Sequence, residues 1–293
     1  MSLVILPWCI ACSGLAWRTL HVRIRGPFEP FEHMPVFKSR PGRSRGKKLL
    51  RFVFIWLPLL FILISTTQVF LMRWVDPFGS SFMVGRQVDA WLEKDWDFRI
   101  SYEWKDEDQL SRHLPIALVA AEDQKFPEHD GFDFEAMEKA LEHNKKGKKI
   151  KGGSTISQQV AKNVFCWNGK GFMRYLRKPF EAWYTLLIEI FWPKHRIIEV
   201  YANVAEFGDG VYGAESAAKK FFGKSAKNLT PNESARLAAV LPNPKKYSAK
   251  NPGPYVNRRA RWIQRQMRQL GGAGYLAEEP EEEEKPEARK KKR

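Results

Sequence analysis

Cysteine is scarce in this chain, and its scarcity excludes two ways of stabilising a fold. The 293 residues include three cysteines. Cys9 and Cys12 form a lone C-x-x-C, with no second pair and no histidine cluster to complete a zinc site, and Cys166 stands alone. The sequence therefore predicts neither a disulfide framework nor a zinc site.

Strand patterns are also scarce. Few segments alternate between apolar and polar residues as strands do, apart from a candidate hairpin near Arg99 to Trp104. Helical patterns dominate the later chain, in LPIALVAAEDQKF, TISQQVAKNVF, RKPFEAWYTLLIEIFW, HRIIEVYANVAEF and TPNESARLAAVLPNP. In the last of these, Thr230 is a predicted N-cap, Pro231 follows it, and Glu233 completes a capping box. The fold is therefore predicted to be mostly α.

Acidic residues are outnumbered by basic ones. There are 33 Asp and Glu against 49 Lys and Arg, which gives a formal net charge of +16. Such an excess indicates an anionic partner: nucleic acid, lipid headgroups or a phosphorylated substrate. A basic segment is followed by the uncharged run FVFIWLPLLFILISTTQVFLM, Phe52 to Met72. That run is long enough to cross a bilayer core of about 30 Å, and the positive-inside rule places the N-terminus in the cytoplasm.

These patterns divide the chain into five segments. A basic cytoplasmic segment, 1–48, precedes a transmembrane helix, 49–73. Residues 74–109 are predicted to be a connector on the membrane face. Five of its large apolar residues either contact lipid or join the core: Phe78, Phe82, Met83, Trp91 and Trp96. The helical domain covers 110–275. The tail 276–293, which ends in EEPEEEEKPEARKKKR, is predicted to be disordered.

The stretch AAEDQKFPEHDGFD places a carboxylate pair at the end of an apolar run. Charged groups are seldom buried unless they are paired. A carboxylate at the end of an apolar helix can project into a partly dry cleft, where desolvation raises its pKa and makes it a useful base near neutral pH. Glu122 is the candidate for that role, although taken alone it is more typical of a surface acid.

A second stretch, KGGSTISQQVAKN, suits an anionic ligand. Two glycines precede Ser154 and Thr155, and the helix that follows presents backbone N–H groups and its dipole at its N-terminus. A plain N-cap explains the same pattern. The polar residues that share one face of this helix are Gln159, Lys162 and Asn163.

A third stretch, RKPFEAWYTLLIE, combines two cations with an acid. Arg177 and Glu181 are spaced i, i+4, and Lys178 lies beside Arg177. The pattern is typical of an ordinary ion pair on a helix. It is equally able to supply cations to a pyrophosphate site and a second carboxylate to a cleft.

Together and in this order, these stretches resemble the glycosyltransferase domain of the peptidoglycan glycosyltransferases, which class A penicillin-binding proteins share. The family pattern E-D-x-x-F-x-x-H-x-G-x-D is matched at 122–133, G-G-S-T-I-[TS]-Q-Q-x-x-K-N at 152–163, and R-K-x-x-E-A at 177–182. RIIEVYANVAEFGDGVYGAESAAKKFFGK resembles a further block, in which Ala202 and Phe221 replace the family's Leu and Tyr. The resemblance extends over residues 74–270, and the single anchor and short chain resemble the monofunctional members.

The resemblance implies a lysozyme-like helical domain with a smaller membrane-proximal lobe, and a role for each matched residue. Glu122 is the implied general base. Glu181 is the implied second glutamate, which orients the site or helps to hold a metal. The implied substrate-binding residues are Asp123, Phe126, His129, Ser154, Thr155, Gln159, Lys162, Asn163, Arg177 and Lys178. No cofactor is required, and a divalent metal, Mg or Mn, that assists the leaving group is left open.

The implied reaction builds glycan strands at a membrane. The 4-hydroxyl of acceptor lipid II attacks C1 of the donor N-acetylmuramic acid, which forms a β-1,4 bond with inversion and releases undecaprenyl pyrophosphate. The expected partners are lipid II, the growing strand and membrane lipid, but no nucleic acid; cell-division or other cell-wall synthesis proteins are left open. The expected location is the bacterial inner membrane, with a periplasmic catalytic domain that the family's donor-site inhibitor moenomycin blocks.

Four alternatives compete with this interpretation. A membrane-anchored hydrolase with a lysozyme-like fold would cleave glycan and would not need the cations of Lys162 and Arg177. A bifunctional penicillin-binding protein would explain Ser216-Ala-Ala-Lys219, which matches S-x-x-K, but no K-T-G follows and too few residues remain for a transpeptidase domain. A nucleic-acid-binding protein is indicated by charge alone. A non-catalytic scaffold would not need both glutamates.

Overall fold

The structure is a computed structural model that describes residues 49–147, 152–169 and 171–276. The basic segment 1–48, with Cys9 and Cys12, lies outside the described residues, as do Lys151 and the tail from residue 277. The predictions for those parts of the chain stay predictions.

The apolar run forms one long helix, α1, Leu49–Leu71, in which the turn Phe52–Trp56 is π-helical and Leu57–Leu71 is α-helical. Its 23 residues make it, within the described ranges, the one helix long and apolar enough to cross a membrane. Its last turns pack on the rest of the domain. Ser65 and Val69 are buried, and the indole nitrogens of Trp183 and Trp192 donate to the Ser65 hydroxyl and the Val69 carbonyl at 2.9 and 2.7 Å. The helix is therefore held on the domain at one end.

Helices form nearly all of the remaining domain, as the sequence predicts. In chain order they are α2 Ser81–Leu92, α3 His113–Glu122, α4 Phe134–Lys145, α5 Ile156–Phe165, α6 Phe172–Phe191, α7 Lys194–Val204, α8 Ala214–Phe222, α9 Pro231–Val240 and α10 Pro254–Gln269. Short 3-10 turns lie at Glu107–Gln109, Phe126–Glu128, Ala226–Asn228 and Gly272–Leu276. The prediction of a mostly α fold is confirmed.

Local capping chemistry determines where several helices begin. The predicted capping box at α9 is present: the Thr230 hydroxyl accepts from the Glu233 amide, and the Glu233 carboxylate accepts from the Thr230 amide at 2.9 Å. The same reciprocal pair, Thr155 with Gln158, begins α5. Each box satisfies two backbone donors that a helix start would otherwise leave without partners.

The predicted hairpin near Arg99 to Trp104 is wrong. Strand β1, Ser101–Tyr102, pairs in parallel with β3, Val211–Tyr212, which in turn pairs antiparallel with β2, Glu206–Gly208. The real hairpin is thus β2–β3, and its turn contains Gly210 with a φ of +68°, a left-handed conformation that favours glycine. The sheet order is β1-β3-β2.

The connector contains α2, and its large apolar side chains divide between surface and interior. Phe78, Trp91 and Trp96 are exposed, at 99%, 48% and 64%. Met83 is buried in the core, and Phe82 is half-buried on the same helix. Met83 therefore joins the core, whereas Phe78, Trp91 and Trp96 lie on the surface, and the expectation that they contact lipid stays a prediction.

Helix α3 lies at the centre of the domain. It packs against α9 and α10, and also against α7, while α5 packs between α6 and α7. The α3 residues from Ile116 to Ala120 are all buried, so this helix is apolar on every side, as a fully enclosed helix must be. Its C-terminal residue is Glu122, whose side chain contacts Gln159 of α5 and Arg259 of α10.

Candidate functional site

Glu122 ends α3 with a largely buried carboxylate whose side chain is 18% exposed. The Gln159 amide donates to its Oε2 at 3.1 Å, and the Arg259 guanidinium lies 3.6 Å from its Oε1. Desolvation raises the pKa of Glu122 above its ordinary value, and the Gln159 hydrogen bond and the charges of Arg259 and Lys162 limit that rise. The structure therefore gives Glu122 the partial burial and the raised pKa that the functional interpretation of its sequence requires.

A buried tyrosine fixes the amide that holds Glu122. The Tyr201 hydroxyl, on α7, donates to Gln159 Oε1 at 3.0 Å. Because the oxygen of the Gln159 amide accepts this bond, its nitrogen must face Glu122. Tyr201 is 1% exposed, and burial raises the pKa of its phenol well above the ordinary value, so it stays a donor.

Asp123 and His129 build the floor of the site. The Asp123 carboxylate accepts from the Ile156 amide at the start of α5 and from His129 Nε2, each at 3.0 Å. The Gly131 amide donates to His129 Nδ1 at 3.1 Å, which leaves the ring hydrogen on the nitrogen that faces Asp123. Phe126 is fully buried beside this pair. These three side chains hold α5 against the end of α3 and face inward.

Thr155 is buried, whereas its neighbour Ser154 is exposed. The Thr155 hydroxyl donates to the Gly131 carbonyl at 2.6 Å, and the side chain is buried. Gly131 has a φ of +85°, and a Cβ there would lie 2.8 Å from the Thr185 methyl, so no other residue fits. Ser154, by contrast, is exposed on the cleft surface. Thr155 therefore caps α5, and Ser154 is the one of the two that is open to a ligand.

Glu181 lies on α6 with a side chain only 2% exposed, between two cations. Lys178 Nζ is 2.7 Å from its Oε1, and Arg177 Nε is 3.5 Å from its Oε2, too far for a hydrogen bond. Arg177 also donates from Nη1 to the Trp167 carbonyl at 3.2 Å, and its Nε has no hydrogen-bond partner among the described residues. The group carries a net positive charge.

Lys162 connects the two carboxylate groups electrostatically. Burial lowers the pKa of Lys162, and both Glu181 and Glu122 act to raise it. Its ammonium and the Arg177 guanidinium both lie over the ring of Phe82, at 5.5 and 5.8 Å from the centroid. Asn163, the next residue, is half-buried. The structure thus brings the predicted cations together on α5 and α6.

Two cavities meet at the loop before α5. One, of about 260 Å³, is lined by Glu122, Asp123 and the loop 152–155. The other, of about 420 Å³, is lined by Lys178, Glu181 and the same Gly153 and Ser154. Gly153 and Ser154 therefore border both the cavity that contains Glu122 and the cavity that contains Lys178 and Glu181.

A resident metal ion does not fit this donor set. Residues 49–147, 152–169 and 171–276 contain no group of three His, Cys, Asp or Glu side chains that could hold one. Glu181 is the carboxylate nearest the cations; Lys178 pairs with its Oε1, and its buried Oε2, 3.5 Å from Arg177, has no hydrogen-bond partner among the described residues. A single paired carboxylate is a poor match for the oxygen-rich shells that Mg²⁺ needs.

Two residues of the site were not found from the sequence. Tyr201 stands in the apolar block RIIEVYANVAEF, where it is indistinguishable from a core aromatic residue. Arg259 stands among several arginines in PYVNRRARWIQRQMRQ, most of which are exposed. The only available signal was the helical period of that segment, which places Arg259 at the edge of its buried face.

Known proteins share this sequence over most of its length. The sequence profile of the family described as Transglycosylase matches residues 93–268. The chain is 57% identical to the "Biosynthetic peptidoglycan transglycosylase" of Xanthomonas campestris pv. campestris over 239 residues, which cover 82% of this chain and 95% of that protein. It is 54% identical to the protein of the same name from Xylella fastidiosa over 218 residues, 74% of this chain and 88% of that protein.

A third relative, from Xanthomonas oryzae pv. oryzae and with the same name, is 58% identical over 232 residues, 79% of this chain and 93% of that protein. The matched interval contains Glu122, the loop before α5 and the cations of α6. On the length of the profile match and the level of identity, the chain belongs to the transglycosylase family.

Proposed function

We propose that this chain is a peptidoglycan glycosyltransferase that polymerises lipid II into β-1,4-linked glycan strands. The observation that carries the proposal is the pair of cavities that meet at Ser154. One is lined by the desolvated Glu122, and the other by Lys178 and by Glu181, which also pairs with Arg177. A glycosyl transfer from a pyrophosphate donor needs this division, because a hydroxyl must be deprotonated on one side of the reacting carbon while negative charge develops on the other.

Glu122 is the proposed general base. It takes the proton of the 4-hydroxyl of the acceptor N-acetylglucosamine, whose oxygen attacks C1 of the donor N-acetylmuramic acid. The bond from C1 to the phosphate oxygen breaks, and the α-linked donor becomes a β-1,4 product. The raised pKa of Glu122 suits a proton acceptor that operates near neutral pH. Gln159 occupies Oε2, so Oε1 is the oxygen that accepts the proton.

Lys162, Arg177 and Lys178 are proposed to stabilise the undecaprenyl pyrophosphate that leaves. Lys178 lines the same cavity as Glu181, Arg177 pairs with Glu181, and Lys162 interacts electrostatically with it. Cations that are already in place stabilise the negative charge that develops on a leaving group. Glu181 holds two of them in place through its ion pairs at 2.7 and 3.5 Å. Its proposed role is therefore to position the cations.

The surface around the site suits a lipid-linked substrate. A groove of about 850 Å³ runs between the end of α1 and the start of α2, and its lining includes Met72, Val75, Phe78 and Trp167. Apolar side chains are also exposed along α6, at Phe172, Met173, Tyr175, Leu176, Phe180, Leu186 and Ile190. Soluble proteins seldom expose contiguous apolar patches of this kind, so we assign this face to the membrane.

The proposed location follows from the same features. α1 spans the inner membrane, the basic segment before it stays in the cytoplasm, and the catalytic domain lies on the periplasmic surface.

Ser216 of the S-x-x-K match is buried in α8, and Lys219 is paired with Glu103 and Glu215, so this match offers no second active site. We propose that the chain carries glycosyltransferase activity alone.

A lysozyme-like hydrolase is the second candidate, because one desolvated glutamate also suits a general acid. The cations of α5 and α6 favour transfer from a pyrophosphate. The deciding experiment incubates the purified full chain in detergent with lipid II and, separately, with isolated sacculi. Glycan polymers and released undecaprenyl pyrophosphate are the expected products. Soluble fragments from sacculi, with lipid II unchanged, would contradict the proposal.

A further inference from the structure

Arg259 approaches the proposed base from a helix that carries no other part of the site. It lies on α10, and its Nη2 donates to the carbonyl of Ala121 at 3.1 Å. The same Nη2 is 3.6 Å from Glu122 Oε1. Its Nε is buried and has no hydrogen-bond partner among the described residues, and its side chain is 26% exposed.

The distance to Glu122 matters because it is longer than a hydrogen bond. A guanidinium in direct contact with a carboxylate forms a strong charge-assisted pair and would occupy Oε1. At 3.6 Å the charge still favours the ionised carboxylate, but Oε1 keeps a lone pair that can accept a proton. The bond to the Ala121 carbonyl holds the guanidinium at this separation, since Ala121 directly precedes Glu122 on α3.

We propose that Arg259 is a positioning residue for the reaction, which holds Glu122 ionised and its Oε1 free for the proton of the acceptor hydroxyl. This inference rests on the proposed function. Arg259 acts through Glu122, and the neighbouring arginines of α10 are excluded from the role by geometry. Arg258, Arg261, Arg265 and Arg268 are all exposed on the outer side of the helix.

The other charged or titratable groups around Glu122 come from three elements. Lys162 faces it from α5 and, like Arg259, favours its ionised form. Asp123, the next residue, opposes that form, and Tyr201 on α7 is a neutral phenol that reaches Glu122 only through Gln159. Arg259 is the closest cation, because Lys162 forms no ion pair with Glu122 within 4.0 Å.

The test is the pH profile of lipid II polymerisation by the full chain and three variants. A general base works only when deprotonated, so the rate falls as the pH drops through the pKa of Glu122. Arg259→Gln removes the cation and should move this acid limb to higher pH by about 1 unit, the lower end of the effect of an adjacent opposite charge. Arg259→Lys keeps the positive charge, so its acid limb should lie close to that of the native chain.

Arg258→Gln is the matched control, since it makes the same charge change one residue away on the exposed face of α10. Its acid limb should coincide with that of the native chain. The midpoint of the limb does not depend on the folded fraction, so a poorly folding variant still reports it. An unmoved limb in Arg259→Gln, or an equal shift in Arg258→Gln, would overturn the inference. A native chain that polymerises no lipid II at any pH would instead overturn the proposed function.

Discussion

Replacing Arg196 with Met should loosen the attachment of the membrane helix to the catalytic domain. Arg196 lies in the first turn of α7, and its side chain is 8% exposed. It donates to the carbonyls of Met72 and Val75, each at 3.2 Å, and its Nη1 lies 2.7 Å from Glu199 and 2.9 Å from Asp76. One guanidinium thus joins the exit of α1 to a buried carboxylate.

The magnitude follows from what the substitution leaves behind. Met fills a similar volume but leaves Glu199, whose side chain is 10% exposed, with the Glu107 amide as its remaining donor. Removing one partner of a buried ion pair costs about 3–5 kcal/mol, because the other charge stays buried without compensation. Domains of this size have a total stability of about 5–15 kcal/mol, so the variant should unfold at distinctly lower denaturant.

The assay is guanidinium unfolding of the detergent-solubilised chain, followed by tryptophan fluorescence. Lys139→Met is the control, since Lys139 forms an exposed pair with Glu135 on α4, which water screens and which should contribute little to stability. The double variant Arg196→Met, Glu199→Gln should recover part of the loss, since it removes the stranded charge. A loss below about 1 kcal/mol in Arg196→Met would refute the reasoning, because it would place the pair among weak surface contacts.

Three further predictions concern the site and the anchor. The acid limb of polymerisation should lie above the ordinary range of a glutamate, because desolvation raises the pKa of Glu122; a limb near pH 4 would contradict this. Lys162→Ala and Arg177→Ala should each lower both the polymerisation rate and the affinity for moenomycin, because lipid II and moenomycin present phosphate to the same cations. A lower rate with unchanged moenomycin affinity would make these residues structural. Deletion of residues 1–63 should leave a folded domain that polymerises lipid II in detergent with weaker apparent affinity. Deletion of residues 1–73 should melt at lower temperature, because it removes the buried Val69, and equal melting of the two would contradict that packing.

Local patterns were sufficient to predict most of the helices and to identify Glu122 as a candidate, while its role as a base came from the family resemblance and stays a proposal. The apolar run before Glu122 predicted a buried helix, which the structure confirms, but Glu122 taken alone was more typical of a surface acid, and its burial became visible only in the structure. The capping box of Thr230 was readable because its two bonds join residues three apart. Such features depend on neighbours in sequence, so the sequence alone predicts them.

Features that depend on distant contacts were not predictable. β1 pairs with a strand more than a hundred residues later, and no local pattern identifies that partner. The contacts of Asp123 and Thr155 that join α3, Gly131 and α5 were not predictable either, and the expectation that these residues bind substrate stays a prediction. Arg259 acquires its contacts only when α10 packs on α3, since the helical period of its segment places it at the edge of the buried face but does not identify what it touches.

The central claim is that Glu122 is the general base, and one variant tests it most directly. Single-turnover polymerisation of lipid II should be measured for Glu122→Gln beside Glu142→Gln, an equal charge change at an exposed position on α4. The amide keeps the shape of the side chain but cannot accept the proton, so the rate should fall by about 10²–10⁴-fold in a protein that melts normally. Glu142→Gln should match the native chain. A folded Glu122→Gln protein with near-native turnover would contradict the account.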